Sequence, residues 1–192
     1  MNNGDMVSGS TTLEGAAWDD DEIVINDDTT YGYHAPPNTR EQKSKSILVV
    51  RVTDVDGKVI GDSAAQVGDN IFGTNGDPVN LKSQMLACSY GVVDITNQYT
   101  SPNIDDKLSA PGVIDVKINI SINGNRYTVH NAVTAAANAK LGYSLPGQHE
   151  QVMYVLEKCY QDCGWAAYAF INSWMSVYQA QYYSMTGVQM HG

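Results

Sequence analysis

Apolar residues along most of the chain recur with the period of strands. The β-branched run at residues 47–52 is too short for a helix and too apolar for an edge strand, which predicts a buried strand. Residues 113–122 alternate apolar and polar side chains, as a half-buried strand does. Shorter runs predict further strands at 92–96, 151–156 and 166–172.

Segments with helical spacing lie between these strands, and we predict helices at 63–72, 80–88 and 128–141. Ser63 and Asn80 are N-cap residues for the first two helices, and Gly142 ends the third. His130 lies off the apolar stripe of the third helix and is expected at the surface. The alternation of strands and helices predicts an α/β (α+β) fold, with a twisted, mostly parallel or mixed sheet and about three helices.

Composition divides the chain near Ser46. Residues 1–45 are acidic and rich in Gly, Ser, Asn, Asp and Thr, and we interpret them as an acidic leader or the end of a propeptide-like segment. Residues 46–192 form the predicted domain. The formal net charge is −10 and the few Lys and Arg are scattered, which argues against nucleic acid as a partner. No run approaches the roughly 18 to 20 apolar residues of a membrane helix, so no membrane partner is expected.

Three cysteines, Cys88, Cys159 and Cys163, are candidates for one disulfide, and three pairings are possible. Cys159 and Cys163 bracket the sequence CYQDC, which is compatible with a small disulfide loop. A metal site needs about four ligands, and this stretch lacks neighbouring His and further Cys residues, which argues against zinc there.

The end of the sequence carries the candidate chemistry. Residues 160–183 are rich in Tyr, Trp and Phe, which usually build a core. The sequence MTGVQMHG follows, with Thr186 as an N-cap, and predicts the first turn of a helix that contains His191. The pair of His149 and Glu150 does not begin an HExxH motif, because Met occupies the position of the second His.

Three stretches together resemble the gametolysin family of secreted zinc metallopeptidases, which are metzincins. They are VVRV, then IFGTNGDPVNLKSQMLACSYG, then GWAAYAFINSWMSVY with the following QMH, and the similarity covers about residues 46–191. The resemblance implies a metzincin-like N-terminal subdomain, in which an aromatic strand region runs into a helix bearing HExxHxxGxxH. His191 matches the first histidine of that motif.

The motif has a clear chemical purpose. Two His residues one helical turn apart bind Zn²⁺, the Glu takes a proton from the zinc-bound water, and a third His completes the site. The resemblance therefore makes His191 the candidate first zinc ligand. Gly192 stands where the general-base Glu is expected, so no catalytic residue is assigned. Zinc is the cofactor that the family implies, but the motif is cut after its first His, and we expect this chain to bind no zinc.

The resemblance implies a secreted endopeptidase acting on extracellular-matrix or cell-wall glycoproteins, of which this chain is an N-terminal fragment, inactive as it stands. Its partner is a protein or peptide substrate, and the cleft strand is expected at Ala167, Tyr168, Ala169, Phe170, Ile171 and Asn172. The neighbouring segment at 173–178 is the other candidate to line the cleft. An internal strand without substrate contact is the other interpretation of this segment. The alternative function is a truncated, non-catalytic pseudo-peptidase that acts as a binding or matrix protein. The first ten residues show no secretory signal, so the extracellular location rests on the resemblance.

Overall fold

The chain divides into two compact units, with the boundary between Glu41 and Gln42. The structure is a computed structural model, and it describes residues 10–14, 17–19, 22–24, 30–34, 41–159 and 164–191. Side chains are described from residue 41 onward, except those of residues 186, 190 and 191. In the described part of the chain, no helix is long and apolar enough to cross a membrane.

The first unit contains two antiparallel strand pairs. β1 (Ser10–Glu14) pairs with β4 (Thr30–His34), and β2 (Ala17–Asp19) pairs with β3 (Glu22–Val24). In the sequence, the second pair lies between the two strands of the first.

The second unit is built around β5 (Lys43–Thr53), which pairs in parallel with three strands. β6 (Val93–Thr96) pairs with its first residues and β7 (Val113–Lys117) with its last, both on one edge. β8 (Gln151–Leu156) pairs with the other edge. Beyond β8 lies β10 (Met175–Gln179), parallel to it, and then β9 (Ala167–Ala169), antiparallel to β10. The sheet is therefore mixed and mostly parallel, with β9 at one end of the strand order.

Helices cover both faces of this sheet. α1 (Ala64–Phe72), α2 (Leu81–Cys88) and the short α4 (Thr186–His191) lie on one face, where Ile47 and Val49 of β5 belong to the same buried cluster. α3 (Arg126–Leu141) lies on the other face, in a cluster that contains Leu48, Val50 and Val52 of β5. Alternate residues of β5 thus face opposite helix layers, as the two-residue period of a strand requires.

The structure confirms the predicted α/β (α+β) fold, with a mixed sheet and, in the described residues, three longer helices and the short α4. Ser63 and Asn80 cap their helices as predicted, since each side chain accepts a hydrogen bond from a first-turn amide. The strand predicted at 113–122 is shorter, because it ends at Lys117. β5, its pairing partner, ends at Thr53, so residues 118–122 pair with no described strand. They form single hydrogen bonds to the last residue of β5 and to the turn that follows it.

His149 is a buried imidazole next to the start of β8, and only 2% of its surface is exposed. Its Nε2 lies 2.7 Å from the hydroxyl of Tyr143. The rings of His149 and Tyr99 pack in a T-shaped arrangement, with their centroids 4.8 Å apart. Its Nδ1 has no hydrogen-bond partner in the described part of the chain. Burial lowers the pKa of His149 to about 4, so the folded protein holds this side chain neutral.

We predict that His149 makes the second unit sensitive to acid. In the unfolded chain the imidazole takes up a proton below its ordinary pKa of about 6.5, whereas the folded state resists protonation down to about pH 4. Its contribution to stability is complete above pH 6.5 and is lost as the pH falls toward 4, with a total loss on the order of 3 kcal/mol. Denaturant unfolding at several pH values will measure it.

The variant His149→Gln should be less stable at pH 7 but should show a shallower loss of unfolding free energy between pH 6.5 and 4. Tyr143→Phe is the control, since it removes the hydroxyl beside the ring but keeps the titrating imidazole, and it should retain the acid slope of the parent. Equal slopes for His149→Gln and the parent protein would show that this residue does not set the acid sensitivity.

Candidate functional site

The β9–β10 hairpin forms the edge of the sheet that leads into α4. β9 covers Ala167–Ala169, and residues 170–173 form the turn into β10, in which Asn172 has a positive φ of 56°. The predicted cleft strand at Ala167–Asn172 is therefore a strand only in its first half. Phe170, Ile171 and Asn172 lie in the turn, because the chain has to reverse there to pair Ala169 with Ser176.

Among the described strands, β9 pairs only with β10, so its outer edge carries no strand. The amide of Gln179 donates to the carbonyl oxygen of Ala166 at 3.0 Å, which makes these two residues a hydrogen-bonded pair. Such pairs alternate along an antiparallel ladder, so Tyr168 and Val177 form the next one. The backbone N–H and C=O groups of Ala167 and Ala169 consequently point away from β10, toward the open edge.

The chain passes from β10 into α4 through a short 3-10 helix, Ala180–Ser184. Tyr183 is 1% exposed and anchors this helix to the α1 layer. Its hydroxyl donates to Oδ2 of Asp62 at 2.5 Å and accepts from Nδ2 of Asn70 at 2.9 Å. Burial, with the hydrogen bond to Asp62, raises the pKa of Tyr183 well above its ordinary value, so the phenol stays protonated. Asp62 and Asn70 thereby fix where α4 begins.

The first turn of α4 is held by local hydrogen bonds and packs against the same layer. The backbone amides of Val188 and Gln189 donate to the carbonyl oxygen of Met185 at 2.8 and 3.0 Å. The side chain of Val188 packs against the buried cluster under α1 and α2. Gln189 is buried and its Nε2 donates to the carbonyl oxygen of Tyr183, whereas its Oε1 has no partner in the described part of the chain.

His191, the candidate first zinc ligand, is the last residue of α4, and its side chain lies outside the part that the structure describes. Among the described residues, no group of three or more His, Cys, Asp and Glu side chains is arranged to hold a metal ion. These residues do not fit the donor set of a catalytic zinc site. No chemical step is therefore assigned to His191, and its role as a ligand stays a prediction.

The three cysteines differ in what the structure shows of their disulfide bonding. Cys88, at the end of α2, is free and exposed, which leaves out the two candidate pairings that contain it. Cys159 is disulfide-bonded, and Cys163 lies outside the described residues.

Sequence reasoning placed His130 on the surface, and this expectation is wrong. His130 is buried at the start of α3, where its Nδ1 lies 3.2 Å from the hydroxyl of Tyr168 in β9. The aromatic residues of the hairpin cover it, and they come from a segment 38 residues away in the sequence. The helical periodicity of α3 carries no signal of that contact.

Sequence comparison places most of the chain in one family. The sequence model of a family described as gametolysin peptidase M11 matches residues 59–192, a range that runs from just before α1 through α4. No curated protein and no solved structure gives a significant match to the chain.

We predict that Tyr183 is the anchor of α4. The variant Tyr183→Phe removes the hydroxyl that is hydrogen-bonded to both Asp62 and Asn70. A hydrogen bond to a charged group contributes about 1.5 to 3 kcal/mol to the free energy of unfolding. We expect urea unfolding to show a loss of that size, and hydrogen exchange to show faster exchange of residues 186–191.

Tyr182→Phe is the matched control for this variant. Tyr182 is the neighbouring residue of the same 3-10 helix, it is only half-buried, and its hydroxyl forms no hydrogen bond to another described residue. Its stability and exchange should match the parent protein. If both variants behave alike, the Tyr183 hydroxyl does not hold α4.

Proposed function

The chain belongs to the gametolysin family of M11 peptidases. We propose that it functions as a secreted, zinc-dependent endopeptidase that cleaves extracellular-matrix or cell-wall glycoproteins. The family match over residues 59–192 carries this proposal, because it supports a metallopeptidase-like protein and the family is extracellular in general. The open edge of β9 supports a polypeptide as the substrate.

The proposed substrate lies along β9 as an additional strand. An extended peptide forms main-chain hydrogen bonds to an unpaired sheet edge and lies about 4.8 Å from it. Ala167 and Ala169 direct their N–H and C=O groups outward, so they are the residues that bind and orient the peptide backbone. Their small side chains leave the backbone of β9 accessible.

The same segment also links the peptide to α4. β9 is hydrogen-bonded to β10, and β10 continues through Ala180–Ser184 directly into α4. Tyr183 and Gln189 hold that connection against the α1 layer. A peptide bound to β9 would thus lie on the same hydrogen-bonded segment that leads into α4. The described residues thus contribute binding and orientation of the peptide to cleavage, and none of them is assigned a proton transfer.

The test of the proposed function uses the protein as its gene encodes it, with any residues that follow codon 192. We expect about one zinc per molecule by metal analysis, cleavage of a glycoprotein such as one extracted from a cell wall, and loss of cleavage when a chelator removes the metal. A protein that contains neither zinc nor peptidase activity would refute the proposal.

We further predict that Ala169→Pro blocks substrate binding while the fold is retained. Proline removes one backbone N–H, and at Ala169 that group faces the open edge rather than β10, a position where strands tolerate proline. In the cleaving protein we expect kcat/KM for a peptide substrate to fall by roughly two- to tenfold. One lost hydrogen bond contributes about 0.5 to 1.5 kcal/mol, and each tenfold corresponds to about 1.4 kcal/mol.

Ala169→Ser is the matched control, since it keeps the N–H group and changes the side chain by one oxygen atom. Its kcat/KM should stay close to that of the parent protein. Circular dichroism and the unfolding midpoint should show that both variants are folded. A folded Ala169→Pro protein with unchanged kcat/KM would show that the substrate does not pair with β9.

One observation favours a second function. Gly192 follows His191 at the position where the family motif has its general-base Glu, and glycine has no group that can accept a proton. A pseudo-peptidase would bind the same peptides along β9 without cutting them. The two functions differ in one measurement on the protein as encoded: peptide binding that is sensitive to Ala169→Pro, without zinc and without cleavage, would identify the binding protein.

A further inference from the structure

A cluster of aromatic and basic side chains lies where the hairpin meets the start of α3, and peptide pairing along β9 does not use it. We call this cluster the ring platform, and it consists of Arg126, Tyr127, His130, Tyr168 and Phe170. Tyr127 and Phe170 are 47% and 39% exposed, so they present large ring surfaces to solvent. Adjacent exposed rings of this kind mark a binding surface more often than isolated ones do.

The guanidinium of Arg126 lies between two of these rings. Its Cζ is 5.0 Å from the ring centroid of Tyr127 and 5.5 Å from that of Tyr168. Its Nη2 donates to the hydroxyl of Tyr127 at 3.1 Å. The rings of Tyr127 and Phe170 are inclined by only 28°, with centroids 6.4 Å apart. The platform therefore combines two nearly parallel ring faces with a fixed positive charge.

A small cavity opens beside the platform, and a buried amide donor lines it. The cavity holds about 10 Å³, which is room for one water-sized group, and its lining includes Arg126, Tyr168, Trp165 and Gln179. Gln179 is only 3% exposed. Its Oε1 accepts from the amide of Cys159, but its Nε2 has no acceptor in the described part of the chain. A buried donor without an acceptor costs about 1 to 3 kcal/mol of stability. A ligand that brings a hydrogen-bond acceptor to Nε2 of Gln179 would remove this cost.

The charges around the cavity favour an anionic acceptor. Arg126 forms no ion pair with a carboxylate in the described part of the chain, and it opens the 16-residue helix α3, whose N-terminus also attracts negative charge. Burial and the nearby Arg126 lower the pKa of His130, and burial raises the pKa of Tyr168 to about 12. Both shifts favour the neutral form of these side chains, so the charge of the platform is that of Arg126. Glu157 also lines the cavity and opposes an anion, and its Oε1 accepts from the amide of Lys158.

We propose that the ring platform and this cavity bind an acidic sugar unit, such as a uronic acid, on a glycoprotein. The apolar C–H face of the sugar ring lies on Tyr127 and Phe170, and one carboxylate oxygen enters the cavity to accept hydrogen bonds from Arg126 and from Nε2 of Gln179. An Asp or Glu side chain of a peptide supplies the same carboxylate but no ring for the platform. The exposed rings therefore favour the sugar over an acidic peptide.

The site is continuous with the proposed peptide edge. Tyr168 belongs to β9 and packs on the α3 face, whereas its neighbour Ala167 packs on the opposite face, with α1 and α2. A peptide paired with the edge of β9 can thus place a glycan on the platform while its backbone stays at the edge. This inference rests on the proposed function, because it assigns a carbohydrate-bearing substrate to the same hairpin.

The experiment titrates the full chain with digalacturonate, its neutral counterpart digalactose, and a short acetylated peptide that contains Asp. Isothermal titration calorimetry gives the affinities. The chain has three tryptophans, so a change in tryptophan fluorescence on binding is assigned to Trp165, which lines the cavity, only if the variant Trp165→Phe loses it. We expect digalacturonate to bind at least tenfold more tightly than either other probe. Added salt should weaken it, because the interaction involves an exposed charge.

Two variants test the residues that the proposal assigns. Arg126→Gln removes the charge, and Gln179→Glu keeps the shape and the bond to the Cys159 amide but replaces the Nε2 donor with an acceptor. Each should weaken digalacturonate roughly tenfold or more, the scale of a lost charge-assisted hydrogen bond. Lys117→Gln, at the exposed end of β7, removes the same charge elsewhere and should leave the affinity unchanged. Circular dichroism confirms that each variant is folded.

Several outcomes would overturn this inference. Equal affinity for digalacturonate and digalactose would exclude the carboxylate contact, and equal affinity for the Asp peptide would exclude the sugar. Unchanged affinity in folded Arg126→Gln would place the ligand elsewhere. These outcomes are separable from the peptidase proposal, since binding is measured without cleavage. Loss of sugar binding with intact cleavage refutes only the platform, whereas missing zinc and cleavage with intact binding refutes only the peptidase.

Discussion

Burial of both faces of β5 is the constraint on which the second unit depends. Leu48 and Val50 face the α3 layer, Ile47 and Val49 face the opposite layer, and all four are almost completely buried. A strand that is covered on both faces and paired on both edges lies in the interior of a parallel sheet. The later strands β8, β10 and β9 follow one another outward from β5, so the β9–β10 hairpin forms the edge of the sheet.

The edge that results is open but short. Exposed strand edges invite pairing with other chains, and proteins limit this risk by keeping edge strands brief. β9 has only three residues, of which Ala167 and Ala169 turn their backbone groups outward. So few hydrogen bonds, each contributing about 0.5 to 1.5 kcal/mol, do not hold a peptide by themselves. A polypeptide that binds here needs further contacts, and the α4 side and the ring platform lie at the two faces of this strand.

Local interactions made much of this fold predictable from the sequence. The helix starts at Ser63 and Asn80 follow from side chains that bond within three residues, and the bounds of β8 match the apolar run. Residues 43–46 are polar and become part of β5 only because β6 pairs with them from 50 residues away. Likewise, the end of β7 depends on where β5 stops, so periodicity alone extended that strand too far.

The candidate sites differ in the same way. His191 is identified through a motif and a family resemblance, which need no coordinates, whereas nothing in the sequence around Gln179 marks its unpaired amide. That amide matters only because β10 buries it at the carboxyl end of the parallel strands, beside the start of α3, a region where α/β sheets commonly bind ligands. Alternate residues of β9 face opposite sides of the sheet. A single edge strand can therefore present its backbone to a peptide and Tyr168 to a sugar, so one substrate can be held by two chemically different contacts.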